Sequence, residues 1–129
     1  MLRPNFQFIL YVADQNRSRN FYSTVLGISP VLDVPCMTEF ELNTGLKLGL
    51  MPETGIAKIL DGKTPDPAAG NGIPRCELYL KSGNASHFLE RALLAGAKLV
   101  CPLSDRDWGD KVAYVSDFDG HIIAFAETI

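Results

Sequence analysis

The feature that most constrains the fold is an order of elements that occurs twice. "NFQFILYVA" is apolar at nearly every position, with Phe6, Phe8, Leu10 and Val12 on one side and Gln7, Ile9, Tyr11 and Ala13 on the other. That pattern predicts a strand covered on both faces. Asp14 then stands where a helix N-cap belongs. Ser18, Phe21, Tyr22 and Val25 share one helical face, and Gly27 is placed to end the helix. "ISPVLDV" and "MTEFELN" read as strands, and "NTG" turns the second back into "LKLGLM". The same order returns from "RCELYLK". Asn84 caps "ASHFLERALLA", whose Ala85, Phe88, Leu89, Ala92 and Leu93 form an apolar stripe. Gly96 stops it, and "AKLVCPL", "KVAYVSD" and "HIIAFAE" supply three more strands. Cap and stop glycine are 13 residues apart in the first half and 12 in the second. The chain is an internal duplication of a βαβββ unit, of class α+β.

The halves divide near residues 1–51 and 74–129, within one domain. Between them, residues 52–73 hold four glycines and three prolines, which predicts a connector with a helical turn at "IAKIL". Other properties limit the function classes. The net charge is −3, with Lys and Arg dispersed, so the chain lacks the footprint of a nucleic-acid binder. No apolar run reaches the roughly 18 residues of a membrane helix. "MLRPNFQFILYVADQ" lacks the zones of a secretory leader, which predicts a cytoplasmic protein. Cys36, Cys76 and Cys101 are odd in number and scattered, and read as reduced, partly buried thiols.

"QFILYVAD…FYSTVLG", the G-x-x-L-x-L of "GLKLGL", "ALLAGAK" and "WGDKVAYVSDFDGHIIAF" together resemble the vicinal oxygen chelate superfamily. That group includes glyoxalase I, extradiol dioxygenases, and fosfomycin and bleomycin resistance proteins. The likeness spans essentially all 129 residues and is nearest to small bacterial glyoxalase/bleomycin-resistance proteins. It implies tandem modules forming an incomplete barrel around a concave cavity, and a homodimer. It also implies one metal ligand on each of four strands. These positions fall on Gln7, Gly49, Glu77 and Ala124 of this chain.

Two of the four carry no donor atom, and Glu77 stands where a histidine is expected. Gln7 and Glu77 alone fall short of the three or four ligands a divalent transition metal needs. The two histidines do not repair the set: His87 lies mid-helix, and His121 is one residue out of phase with Ile122, Ala124 and Ala126. A two-histidine dioxygenase site is excluded on that ground. "YVSDFDGHIIAFAE" reads as scaffold, with Asp117, Asp119 and Gly120 in its turn.

Alternation assigns the cavity face to Gln7, Ile9 and Tyr11; Lys47, Gly49 and Met51; Glu77, Tyr79 and Lys81; and Ile122, Ala124 and Ala126. Leu46, Leu48 and Leu50, and Cys76, Leu78 and Leu80, should pack on helices. Small residues at 49 and 124 should leave room where a metal would have sat. Glu77, as a buried carboxylate, should pair with Lys47 or Lys81. The expected function is binding of a small organic ligand, with no metal or other cofactor, through Gln7, Tyr11, Met51, Glu77, Tyr79 and Trp108. Glu39 and Glu41 line either the cavity or a solvated edge. Arg106 and its neighbouring acids should be solvated. One alternative is a glyoxalase-like lyase or isomerase using Glu77 as its base, with an atypical metal or none. Another is a structural or regulatory dimer.

Overall fold

The computed structural model describes residues 1–3 and 5–129. Local chemistry sets the boundaries of its elements. The strand β1 (Phe6–Val12) leads into helix α1 (Gln15–Leu26), which the Asp14 carboxylate caps by accepting from Arg17 N. Gly27, at φ 70°, ends the helix by donating its N–H to Ser23 O. Strands β2 (Leu32–Val34), β3 (Met37–Asn43) and β4 (Leu46–Pro52) follow. In the second half, β5 (Glu77–Lys81) leads to α3 (Ala85–Leu94), capped by Asn84 accepting from His87 N, and then to β6 (Lys98–Asp105), β7 (Asp110–Ser116) and β8 (Ile122–Thr128).

The duplication is repeated in the topology. The first sheet has the order β1-β4-β3-β2 and the second β5-β8-β7-β6. In each, the first strand pairs parallel with the fourth and the remaining pairs are antiparallel. Neither sheet closes on itself. The chain forms two compact units, residues 1–23 with 27–70 and residues 24–26 with 71–129. The connector is more ordered than its composition predicts. Helix α2 (Glu53–Leu60) starts directly from Pro52 at the end of β4 and buries Ile56, and a short 3₁₀ turn covers Pro67–Gly70.

In the first unit, Val12, Thr38, Phe40, Leu48 and Leu50 are buried on one side of the sheet. In the second, Ala113, Val115, Ile123 and Phe125 are buried on the side where Phe88 of α3 stacks on Phe125 at 6.2 Å. Each Val, Leu, Ile or Phe among them contributes about 1.5–3 kcal/mol by leaving water.

Several expectations change. β1 is not covered on both faces: it is an edge strand paired only with β4, and Phe6, Phe8, Ile9 and Tyr11 are exposed, Phe8 by 69%. Leu93 is exposed rather than part of the α3 stripe. The helix meets its sheet through Ala85, Phe88 and Ala92, and Leu93 lies a further 100° around the axis. Cys36 and Cys76 are exposed and only Cys101 is half-buried. Cys36 occupies a turn at φ 74°, and Cys76 precedes β5 instead of packing beneath it. Leu46, Leu78 and Leu80 are half-buried, because Leu46 starts its strand and β5 forms a sheet edge.

Candidate functional site

On the second sheet, parallel pairing sets Glu77, Tyr79 and Lys81 of β5 beside Ile122, Ala124 and Ala126 of β8. Antiparallel pairing adds Ser116, Tyr114 and Val112 of β7, with Asp110 at that strand's first position. The two tyrosines thus flank Ala124, which is fully buried and packs with Val112, Ala126 and Tyr114. The small residue at 124 is therefore not open to solvent, because Val112, Ala126 and the Tyr114 ring pack against it. Arg106 is not solvated either. Its guanidinium lies over the Tyr114 ring at 5.3 Å, and Nη2 donates to Val112 O at 3.1 Å.

A chain of polar contacts organises one end of this face. Trp108 Nε1 donates to Tyr79 Oη at 2.9 Å, and Tyr79 Oη donates to Asp110 Oδ2 at 2.6 Å. Lys81 Nζ lies 2.9 Å from Asp110 Oδ1. Asp110, one of the acids expected in solvent, is buried. The Tyr79 hydrogen bond, followed by Lys81, holds its carboxyl below the ordinary value of 3.8. The same bond pushes the Tyr79 phenol above its ordinary 10.0, since a phenolate would face the carboxylate. Trp108, on the turn between β6 and β7, is 58% exposed and Tyr79 39%. Their polar edges are held while ring surface remains available. Glu77 does not have the environment expected of it: it is exposed, while Lys47 pairs with Glu39 and Lys81 with Asp110.

On the first sheet, Gln7, Ile9 and Tyr11 of β1 pair with Lys47, Gly49 and Met51 of β4. Gln7 Nε2 donates to Glu39 Oε2 at 2.9 Å, and Lys47 Nζ lies 3.4 Å from Glu39 Oε1. Glu39 faces Gly49 directly across the β3–β4 ladder, whereas Glu41 is exposed. Gly49 is not an open space. A Cβ there would lie 2.5 Å from Gln7 Nε2 and 3.0 Å from Ile9 Cγ1, so the Gln7 amide occupies the position above it. Met51 is half-buried and Tyr11 exposed on the same face. Beside α1, a solvent-open depression of ≈ 590 Å³ is lined by Asp14, Gln15, Arg19, Asp33 and Cys36 among others. Its floor is an internal network in which Gln15 Nε2 donates to Thr38 Oγ1, Thr38 Oγ1 to Asp33 Oδ1, and Arg19 Nη1 to Asp33 Oδ2.

These observations decide the fit of a metal. The first sheet supplies only Gln7 from the four implied positions, with one amide oxygen as its ligand atom, while its amide nitrogen donates to Glu39. The second sheet supplies only Glu77. The residues present do not fit the implied metal. Elsewhere, Asp117, Asp119 and His121 bring ligand-type atoms within 4.8 Å of one another. His121 is thus nearer to carboxylates than its phase on β8 predicts. Asp117 Oδ1 already accepts from Asp119 N and His121 N, the work of a turn.

The sequence profile of the glyoxalase-like domain matches residues 6–129. The chain belongs to this family, within the vicinal oxygen chelate superfamily. Solved structures agree. A glyoxalase-related enzyme from Fulvimarina pelagi is 23% identical with a TM-score of 0.80, over 95% of this chain and 86% of that one. A protein of unknown function from Agrobacterium tumefaciens is 26% identical with a TM-score of 0.74, over 100% and 95%. A glyoxalase/bleomycin resistance protein/dioxygenase family enzyme from Burkholderia phytofirmans is 12% identical with a TM-score of 0.78, over 95% and 97%. No curated protein sequence matches the chain significantly. Two contributors to the faces of this vicinal oxygen chelate protein, Glu39 and Asp110, are not among the residues expected to bind. Alternation on "TEFEL" places Glu39 on a face, but no sequence signal pairs it with Gln7.

Proposed function

We propose that this vicinal oxygen chelate protein binds a small organic molecule on the second sheet, against Tyr79 and Trp108, without a resident metal. The observation that carries this reading is the Trp108–Tyr79–Asp110–Lys81 chain, which fixes two partly exposed aromatic rings by their polar edges. Rigid aromatics with a few placed polar groups are the usual make-up of such sites. The absence of side-chain donors at Gly49 and Ala124 supports the metal-free part. Sequestration of a toxic molecule, of the kind named for bleomycin resistance proteins, is one form of this function.

A homodimer belongs to the same reading, supported by the apolar residues exposed on edge strand β1. So does a cytoplasmic location, which suits three free cysteines. No helix among the described residues is long and apolar enough to cross a membrane. The lyase or isomerase alternative rests on Glu77. Its exposure gives that alternative no specific support.

Trp108 is the only tryptophan, so its emission reports this face directly. Titration with a panel of aromatic metabolites and glycopeptides should find compounds that saturably change the emission, and Tyr79→Ala should abolish the response. A panel that binds equally well to the Tyr79→Ala variant would overturn the proposed location. Elemental analysis of protein purified without chelator tests the rest: about one equivalent of Zn, Ni, Mn or Fe per chain would overturn the metal-free part.

A further inference from the structure

The charge pattern beside the aromatic pair distinguishes among ligand classes. Of the charged groups on this face of β5 and β7, Asp110 and Lys81 neutralise one another at 2.9 Å, and Asp110 is buried. Glu77 is two residues from Tyr79 on the same side of β5, a spacing of about 7 Å. It is exposed, and both lysines of the two faces are engaged by other carboxylates. The face therefore offers, beside the Tyr79 ring, a carboxylate with no ion-pair partner among the described residues, while the Arg106 guanidinium lies over the Tyr114 ring on the far side of Ala124. The Tyr79 ring is also of the favourable kind. The Tyr79 hydroxyl donates to a carboxylate, which enriches its π system, and the Trp108 N–H is turned towards that hydroxyl, away from solvent. The negative quadrupole of such rings attracts cations and repels anions.

We propose that the ligand is an organic cation on an aromatic body, its positive centre held between Glu77 and the Tyr79 ring and its apolar part lying towards Trp108. This inference rests on the binding reading above and narrows it. An anionic aromatic is disfavoured twice, by Glu77 and by the ring faces. A neutral one gains the stacking but not the charge. Glu77 then acts as a specificity-determining carboxylate, a role that suits its exposure better than that of a buried base.

The single indole N–H resonance of Trp108 separates these outcomes. Three probes of similar shape are titrated at pH 8 into the full chain: N-methylquinolinium as the cation, quinoline as the neutral compound and 2-naphthoate as the anion. The cation should shift the indole resonance and saturate about five- to tenfold more tightly than quinoline, with 2-naphthoate weakest. Glu77→Gln should bring the cation close to quinoline's affinity while leaving quinoline unchanged, and Glu77→Lys should reverse the order of cation and anion. Residue 77 is exposed on an edge strand, and an otherwise unchanged amide spectrum verifies the fold of both variants. Equal binding of the cation and quinoline, or a cation affinity indifferent to Glu77→Gln, overturns the cation assignment while the binding site stands. If none of the three probes moves the resonance, the binding reading fails and the assignment falls with it.

Discussion

Replacing Gly120 by alanine tests how the loop before β8 is held. Gly120 has φ 87°, a left-handed conformation that costs a residue with a Cβ about 1–2 kcal/mol. It also lies against the end of the connector. A Cβ on residue 120 would be 2.6 Å from Gly72 Cα and 2.7 Å from its carbonyl carbon, and would overlap Gly72 O. Those are backbone atoms, so relief requires the chain to move, at about a further 1–3 kcal/mol by analogy with overpacked cores. The loss expected for Gly120→Ala is therefore about 2–5 kcal/mol, a large part of the 5–15 kcal/mol typical of a domain. Gly109→Ala is the control. It has φ 92° and nothing within 4 Å of its would-be Cβ, so it should lose only the conformational cost, about 1–2 kcal/mol. Urea denaturation followed by circular dichroism reads both. With a slope of about 1–3 kcal/mol per molar urea, Gly120→Ala should lower the midpoint about twice as far as Gly109→Ala. Equal midpoints for the two variants would refute the contact with Gly72 as a determinant of stability.

Two other predictions concern the polar clusters. Gly49→Ala should destabilise by about 1 kcal/mol because it displaces the Gln7 amide from Glu39. In the Gln7→Ala background it should cost less, with a coupling of about 0.5–1 kcal/mol, and additive midpoints in a double-mutant denaturation cycle would refute the overlap. The pH dependence follows from the directions of the shifts. Asp110 and Asp33 are both held below 3.8, Asp33 first by Thr38 and then by Arg19, so each binds its proton more readily in the unfolded chain. Their stabilisation is complete above about pH 3.8 and is lost as pH falls through the lower folded values. Tyr79 is shifted upwards, so its contribution is complete below its ordinary 10.0 and is lost as pH rises through the raised value. Thermal midpoints measured across pH 2–6 should fall less steeply on the acid side for Asp110→Asn than for the unmodified protein, and identical slopes would refute the assignment.

The fold was legible because its signals are local and repeated. Asp14 and Gly27, and Asn84 and Gly96, bracket two helices of similar length. Alternation within each strand separates the buried side from the other. The cover of a strand is not local. "NFQFILYVA" has the composition of a central strand, yet β1 lies at an edge, and nothing within the segment records how many neighbours it has. The same limit applies to Cys76, one residue short of β5, and to Leu93, whose burial depends on how α3 is rotated against its sheet.

Partners across strands explain the rest of what the sequence did not disclose. The turn residues Asn43 and Leu46 pair with each other, and counting back from them in regular register would put Glu39 opposite Leu50, on the buried side. A bulge between Glu41 and Asn43 shifts the ladder by one residue and brings Glu39 opposite Gly49 instead. One extra residue in a strand inverts every side chain beyond it, and no residue type in "EFELN" announces that insertion. The shift has a chemical consequence. A position on β4 with no side chain acquires a carboxylate from the strand beside it, and that carboxylate arrives with Lys47 and Gln7 already bound to it. On the second sheet, the position without a donor is instead packed against by Tyr114 of the neighbouring strand. The two halves of one duplicated fold thus fill equivalent positions by different means, one with an ion pair and one with an aromatic ring.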